Sequence, residues 1–204
     1  MNIENTPAGT VTPADLFLGR LRTQTNPAHK ALENLAVSTA ILSPKVNVES
    51  YAHYLTLMHD VISDTEKNIF PVLNHIIPDL SSRAKRESLE ADLQHLGFAK
   101  SSFKAVFGDS EIFSESFALG ILYVIEGSSL GGRFIFNHVS NTIGVDENSG
   151  ASYFAGYGNK TGQLWKHFLQ TLTQHEATSD SGDEIIAGAD YAFKAIFDHF
   201  SLYS

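Results

Sequence analysis

Apolar positions along this chain recur at three- and four-residue spacing almost from end to end, the period of helices that bury one face. Thr12-Pro13 reads as an N-cap followed by proline in the first turn, with Asp15 close behind. Phe17, Leu21, Ala28, Leu32 and Leu35 then hold one helical phase. Pro27 falls inside this stretch, and because the phase runs through it the spacing predicts one kinked helix. Residues 37–46 read as a loop around Ser43-Pro44. Asn47 opens a long helix burying Tyr51, Tyr54, Leu55, Met58, Val61 and Ile62, and Pro71 and Pro78 bracket its end. Residues 82–96 form a charged helix stopped by Gly97. After a connection over 103–109, residues 113–142 form a second long helix. A Gly-, Ser- and Asn-rich loop (144–157), a helix (161–173), a polar loop (177–182) and a last amphipathic helix (183–200) complete the chain. Strand alternation, internal repeats and domain linkers are missing. The expectation is an all-α single domain over residues 13–204, of about seven helices, behind a flexible segment 1–12.

Composition narrows the chemistry. The 204 residues are 43% hydrophobic, enough for one sizeable core. Fourteen Lys and Arg stand against 23 Asp and Glu, a formal charge of −9, which argues against nucleic acid as a partner. With no cysteine, disulfides, iron–sulfur clusters, zinc–thiolate sites and thiol nucleophiles are excluded. The nine histidines remain as metal ligands. The start of the chain is polar, and the longest apolar run, 117–125, is far short of the ~20 residues that span a bilayer. A cytoplasmic protein with no membrane partner is expected.

Two patterns carry candidate chemistry. Gly127, Gly131 and Gly132 lie within six positions of an apolar helical run, where each costs about 0.8–1.0 kcal/mol relative to alanine. Three readings remain open: a helix backbone laid against a flat ligand, tight helix packing at small residues, or a plain loop. There is no Gly-Lys-Ser/Thr ending and no preceding strand, so this is no phosphate loop. The second pattern is Arg22, Thr25, His29 and Glu33, spaced 3, 4 and 4 and so on one helix face. A carboxylate one turn from a histidine can fix its tautomer, as it does for metal-ligating imidazoles. An arginine two turns away can meet an anionic group. An ordinary half-exposed His–Glu pair fits the same spacing.

Together the two patterns resemble the heme oxygenase family. Residues 21–33, Leu-Arg-Thr-Gln-Thr-Asn-Pro-Ala-His-Lys-Ala-Leu-Glu, look like its proximal helix, and residues 126–132, Glu-Gly-Ser-Ser-Leu-Gly-Gly, like its glycine-rich distal helix. Tyr157-Gly158 and Gly162-Gln163-Leu164-Trp165-Lys166 resemble the aromatic and basic stretch that follows. The likeness spans residues 16–200. It implies an all-α fold holding heme, both cofactor and substrate, between the proximal helix and a kinked distal helix. It further implies oxidative cleavage of heme by O2 to biliverdin, carbon monoxide and ferrous iron. On this resemblance His29 is the iron ligand, held by Glu33, and Thr25 lies beside it. Gly127, Gly131 and Gly132 form the distal wall, Arg22 and Lys166 meet propionates, and Tyr123 lies near the heme edge. Gly127, Ser128 and Gly131 form the catalytic distal set. Ser128 stands where many members carry an aspartate, and His59 is a further candidate for the distal polar network. The implied partners are an electron donor (ferredoxin, flavodoxin or reductase) and a bilin-accepting protein. A non-catalytic heme-binding or heme-delivery protein of the same fold is the alternative. Without cysteine a thiaminase-like enzyme is disfavoured. Without paired Glu-x-x-His motifs so is a di-iron oxidase.

Overall fold

A computed structural model describes residues 11–108 and 113–203; most of the segment 1–12 lies outside the described residues. Among those described, the regular structure is helical: α1 (Pro13–Glu33), α2 (Ala36–Ala40), α3 (Val48–Asp64), α4 (Phe70–Leu73), α5 (Arg86–His95), α6 (Glu115–Ile143), α7 (Ser152–Ala155), α8 (Thr161–Ser179) and α9 (Gly182–Leu202). The helix starts follow their caps. Thr12 and Asp15 form a reciprocal capping box on α1, and Asn47 and Ser50 do the same on α3. α6 starts at Ser114, whose Oγ accepts the Phe117 amide, and ends at Gly144 with φ 75°.

The helices depart from the sequence-based expectation in four places. α2 occupies the first half of the expected 37–46 loop, with Val37 buried. Residues 80–83 form a separate 3-10 turn, so α5 begins at Arg86 rather than at 82. α7 sits within the expected 144–157 loop, and α8 runs on to Ser179. Between α3 and α4 the chain widens into one π turn, Thr65–Ile69, with the Phe70 amide bonded to Thr65 O. Pro71 follows at once. It cannot donate and its ring crowds the preceding turn, so the wider register admits it without ending the helix. α1 crosses Pro27 as one helix, and α6 runs as one helix through Gly120, Gly127, Gly131 and Gly132.

α6 and α9 form the centre of the bundle, with α1 laid on α9 and α8 on α6. Their backbones touch. A Cβ at Gly120 would come within 2.0 Å of Ile185 O, and one at Gly188 within 2.1 Å of Phe117 O. By length and composition α6 is apolar enough to cross a membrane. Here its apolar residues Ala118, Leu119, Ile121, Leu122 and Ile125 are core residues.

Three buried carboxylates hold the irregular connections. Asp60 accepts Lys100 Nζ at 2.6 Å and the Lys104 amide at 2.8 Å, and Asp64 accepts the amides of Val106 and Phe107. Asp92 accepts the amides of Ser152 and Tyr153, which fixes the start of α7. Each connection therefore satisfies backbone donors on a helix that belongs to the core.

Candidate functional site

The site is built from one face of α1 and one face of α6. On α1 the 3.6-residue period puts Arg22, Thr25, His29 and Glu33 on one side. Thr25 is buried, with its hydroxyl donated to Leu21 O at 2.8 Å. It therefore offers the site its methyl group. His29 is half-exposed; its Nε2 lies 3.5 Å from Glu33 Oε1 and its ring meets the edge of Phe193 from α9 at 5.5 Å. On α6 the same period gathers Tyr123, Gly127, Leu130, Gly131 and Phe134. Leu130 is 48% and Phe134 68% exposed, so an apolar strip is left uncovered on this face. The two faces share a corner where the Arg22 guanidinium lies beside the Tyr123 hydroxyl. Burial pushes the Tyr123 phenol up, and Arg22 partly offsets it.

The glycines divide by what they face. A Cβ at Gly131 would meet nothing within 4 Å, and one at Gly127 would lie at ordinary contact distance, 3.5 Å, from the Trp165 indole. Gly132 is buried and faces Phe154 of α7 instead, so its missing side chain serves helix packing. Gly120 is the tight-packing glycine. Trp165 also lies 5.5 Å from the Tyr123 ring and stacks near Phe168. Lys166 is exposed beside it on α8. Ser128 donates to Ile125 O at 2.7 Å and lies near the Tyr153 hydroxyl. His59 is buried between α3 and α5, with Nε2 3.2 Å from Glu90 Oε1. Burial holds its pKa down, against the opposing pull of Glu90.

Behind the glycine strip is a buried charge cluster that the sequence did not signal. Arg83 Nη1 donates to Glu126 Oε2 at 2.7 Å, and its Nε and Nη2 both reach Asp79 Oδ2, at 3.1 and 3.0 Å. The Tyr157 hydroxyl donates to Glu126 Oε1 at 3.0 Å. Lys85 is buried as well; its Nζ donates to Ser129 Oγ and lies 4.4 Å from the centre of the Tyr157 ring. Burial holds the Lys85 ammonium below its usual range, partly countered by Glu126. The only hint in the sequence was that Glu126 adjoins Gly127. Nothing in the spacing placed Arg83 or Lys85 beneath it.

Residues 15–201 match the family model described as heme oxygenase. This chain belongs to the heme oxygenase family. It is 31% identical over 189 residues to heme oxygenase PigA of Pseudomonas aeruginosa, which covers 92% of each chain. Its fold matches the NO- and CO-bound heme oxygenase from Neisseria meningitidis with a TM-score of 0.74 at 27% identity, over 91% of this chain and 92% of that one. The fold of heme oxygenase from Leptospira interrogans is similar too, with a TM-score of 0.75 at 16% identity over 91% and 98% of the two chains. As a heme oxygenase the chain is an oxidoreductase that acts on heme, and such enzymes draw electrons from a reductase partner. The residues present fit that group. The α6 face offers a strip without side chains between two exposed apolar ones, and the α1 face offers a half-exposed imidazole and a cation.

Proposed function

We propose that this heme oxygenase holds heme between α1 and α6, with His29 as the iron ligand, and cleaves it with O2 to biliverdin, carbon monoxide and ferrous iron. The observation that carries the reading is the uncovered α6 strip, Gly127 and Gly131 flanked by Leu130 and Phe134, joined to the histidine helix through Arg22 and Tyr123. When bound, heme supplies both the iron at which oxygen is reduced and the ring that is oxidised.

The chain's own residues bind and orient. One ring nitrogen of His29 takes the iron and Glu33 holds the imidazole from the other side, which fixes its tautomer. Arg22, backed by the Tyr123 hydroxyl, receives a propionate, and exposed Lys166 receives a second. Gly127 and Gly131 let the α6 backbone approach the opposite face, where no side chain blocks a diatomic ligand. Thr25 closes the proximal side with its methyl group, while Gly132 serves the wall only by seating α6 on α7. Ser128 and Tyr153 give that wall a pair of hydroxyls able to order water where a proton is needed. Electrons come from a ferredoxin, flavodoxin or reductase in the cytoplasm, and a bilin-accepting protein takes the product.

Hemin added to the protein is expected to give a histidine-ligated Soret band, and His29→Ala to abolish it. An unchanged band in that variant would overturn the ligand assignment. With reductant and oxygen the complex is expected to lose the Soret band and yield biliverdin and carbon monoxide. A complex that keeps its heme under those conditions would instead be a heme-binding protein of the same fold.

A further inference from the structure

Arg83 heads the fully buried side chains by size. A surface ion pair would explain nothing about the site, but this guanidinium is only 1% exposed and Glu126 only 3%. Replacing a buried ion pair with apolar groups is often neutral or stabilising, so stability alone gives no reason for it. Its geometry does. A planar guanidinium with fixed donor directions holds several acceptors at set spacing, which lysine does not.

The acceptors are placed one residue away from the two groups that meet over the site. Glu126 directly precedes Gly127, and Leu164, whose carbonyl accepts Arg83 Nη2 at 3.5 Å, directly precedes Trp165. Gly127 and Trp165 face each other across a gap that one added methyl group would bridge, since a Cβ on Gly127 would lie 3.5 Å from the indole. Tyr157 closes the arrangement, donating to Glu126 and lying within 3.3 Å of Arg83 O. Asp79 holds the guanidinium from behind, two bonds to one carboxylate oxygen. One buried cation thus ties α6, the 80–83 turn and the first turn of α8 together.

We infer that Arg83 is a positioning residue: through Glu126 and the Leu164 carbonyl it sets the separation between Gly127 of α6 and Trp165 of α8, and so the in-plane seat of heme. The second half rests on the placement of heme proposed above; the first half does not. A heme that slides or rotates presents a different meso edge to the distal wall. The ratio of biliverdin isomers therefore reports the seat, whereas a purely structural role would leave that ratio alone and change only the amount of folded protein.

The test uses Arg83→Lys, the paired change Arg83→Met with Glu126→Leu, and Glu126→Gln. The paired change removes both members of the ion pair together, while Lys85 keeps Glu66 as an opposing charge and Asp79 is 32% exposed, which protects folding. Trp165 is the only tryptophan, so its emission without heme reads the α6–α8 gap directly. The expected result for Arg83→Lys and for the pair is a shifted Trp165 emission, stronger acrylamide quenching, a changed isomer ratio and turnover lower by about tenfold or more. Glu126→Gln keeps an oxygen to accept Arg83 Nη1 and turns an amide N–H toward the Tyr157 oxygen, whose hydroxyl still reaches Arg83 O, and is expected to keep the native emission and isomer ratio. Folded variants with native Trp165 emission would overturn the clamp, whatever becomes of heme. A shifted emission with an unchanged isomer ratio would overturn its role in seating heme. Should His29→Ala retain its Soret band, the heme placement fails, and the emission readout still decides the clamp.

Discussion

His29 differs from six of the other eight histidines in what it has left to give; His95 and His167 are exposed too, but lie on α5 and α8 and not on the α1 face. The rings of His53, His59, His75, His138, His175 and His199 all lie within bonding reach of protein oxygens, respectively Tyr203 O, Glu90, Glu115, Ser43 O, Ser116 and Asp60. His29 has a long 3.5 Å contact to Glu33 and an aromatic edge, on a half-exposed surface. An imidazole so placed keeps a lone pair for a metal at little desolvation cost. Its helical company was legible in the sequence because i, i+4 spacing is local. Trp165 was legible only as part of a resembling stretch; that it lies against Gly127 depends on how α8 folds back on α6. The proximity has a direct consequence. Hemin titrated into the protein is expected to quench the Trp165 emission in step with the growth of the Soret band, saturating at one heme per chain. Emission that survives a saturated Soret band would place heme away from the α6–α8 corner.

At the scale of elements, glycines in one helix have opposite duties. Gly120 is required by packing, since its Cβ would enter the Ile185 carbonyl. Gly131 faces open space and gains nothing from being glycine in the protein without heme. Gly131→Ala is therefore expected to stabilise the heme-free protein by about 0.8–1.0 kcal/mol, the helix-propensity difference, while weakening hemin binding. Gly120→Ala is expected to destabilise it by more than about 3 kcal/mol. Urea unfolding of the two variants, with hemin titration of the first, checks both signs. This division could not be read from the sequence: three glycines in six positions announce a cost without saying which neighbour repays it. Caps and phases were legible where they are local, as at Thr12 and Asn47. The π turn before Pro71 was not, because proline signals a disturbed ladder without saying whether the chain ends the helix or widens it.

Across the whole molecule, the connections hang on carboxylates carried by core helices. Burial pushes the Asp60 carboxyl up, but the His199 ring 3.2 Å away and the bonds from Lys100 and the Lys104 amide outweigh it and hold the pKa down to about 2, below the ordinary aspartate range. A folded pKa below the unfolded one gives stability that is fully present above about pH 4 and lost as the pH falls through about 2, roughly 2 kcal/mol in size. Asp60→Asn is expected to lower the urea midpoint at pH 7 and to lose that deficit progressively below pH 4. A deficit that persists unchanged at pH 2 would show that shape, not charge, holds the 100–104 segment. Such pairings were illegible in the sequence. Asp60 and Lys100 lie 40 residues apart, and Arg83 and Glu126 lie 43 apart; hydrophobic period says which face is buried, not which buried charge finds which. The backbone contact between α6 and α9 has a mechanical meaning of its own. It grips α6 near Gly120, while Gly131, Arg133 and Phe134 further along stand exposed. Further on, the helix is held again, with Val139 fully buried and His138 Nε2 3.0 Å from Ser43 O. α6 is thus a beam supported on both sides of its exposed glycine strip, so bending falls at mid-span, on the stretch proposed to face heme. A planar ring held there and an opened, buckled product would meet the one part of the helix able to yield, while the core at either support stays closed.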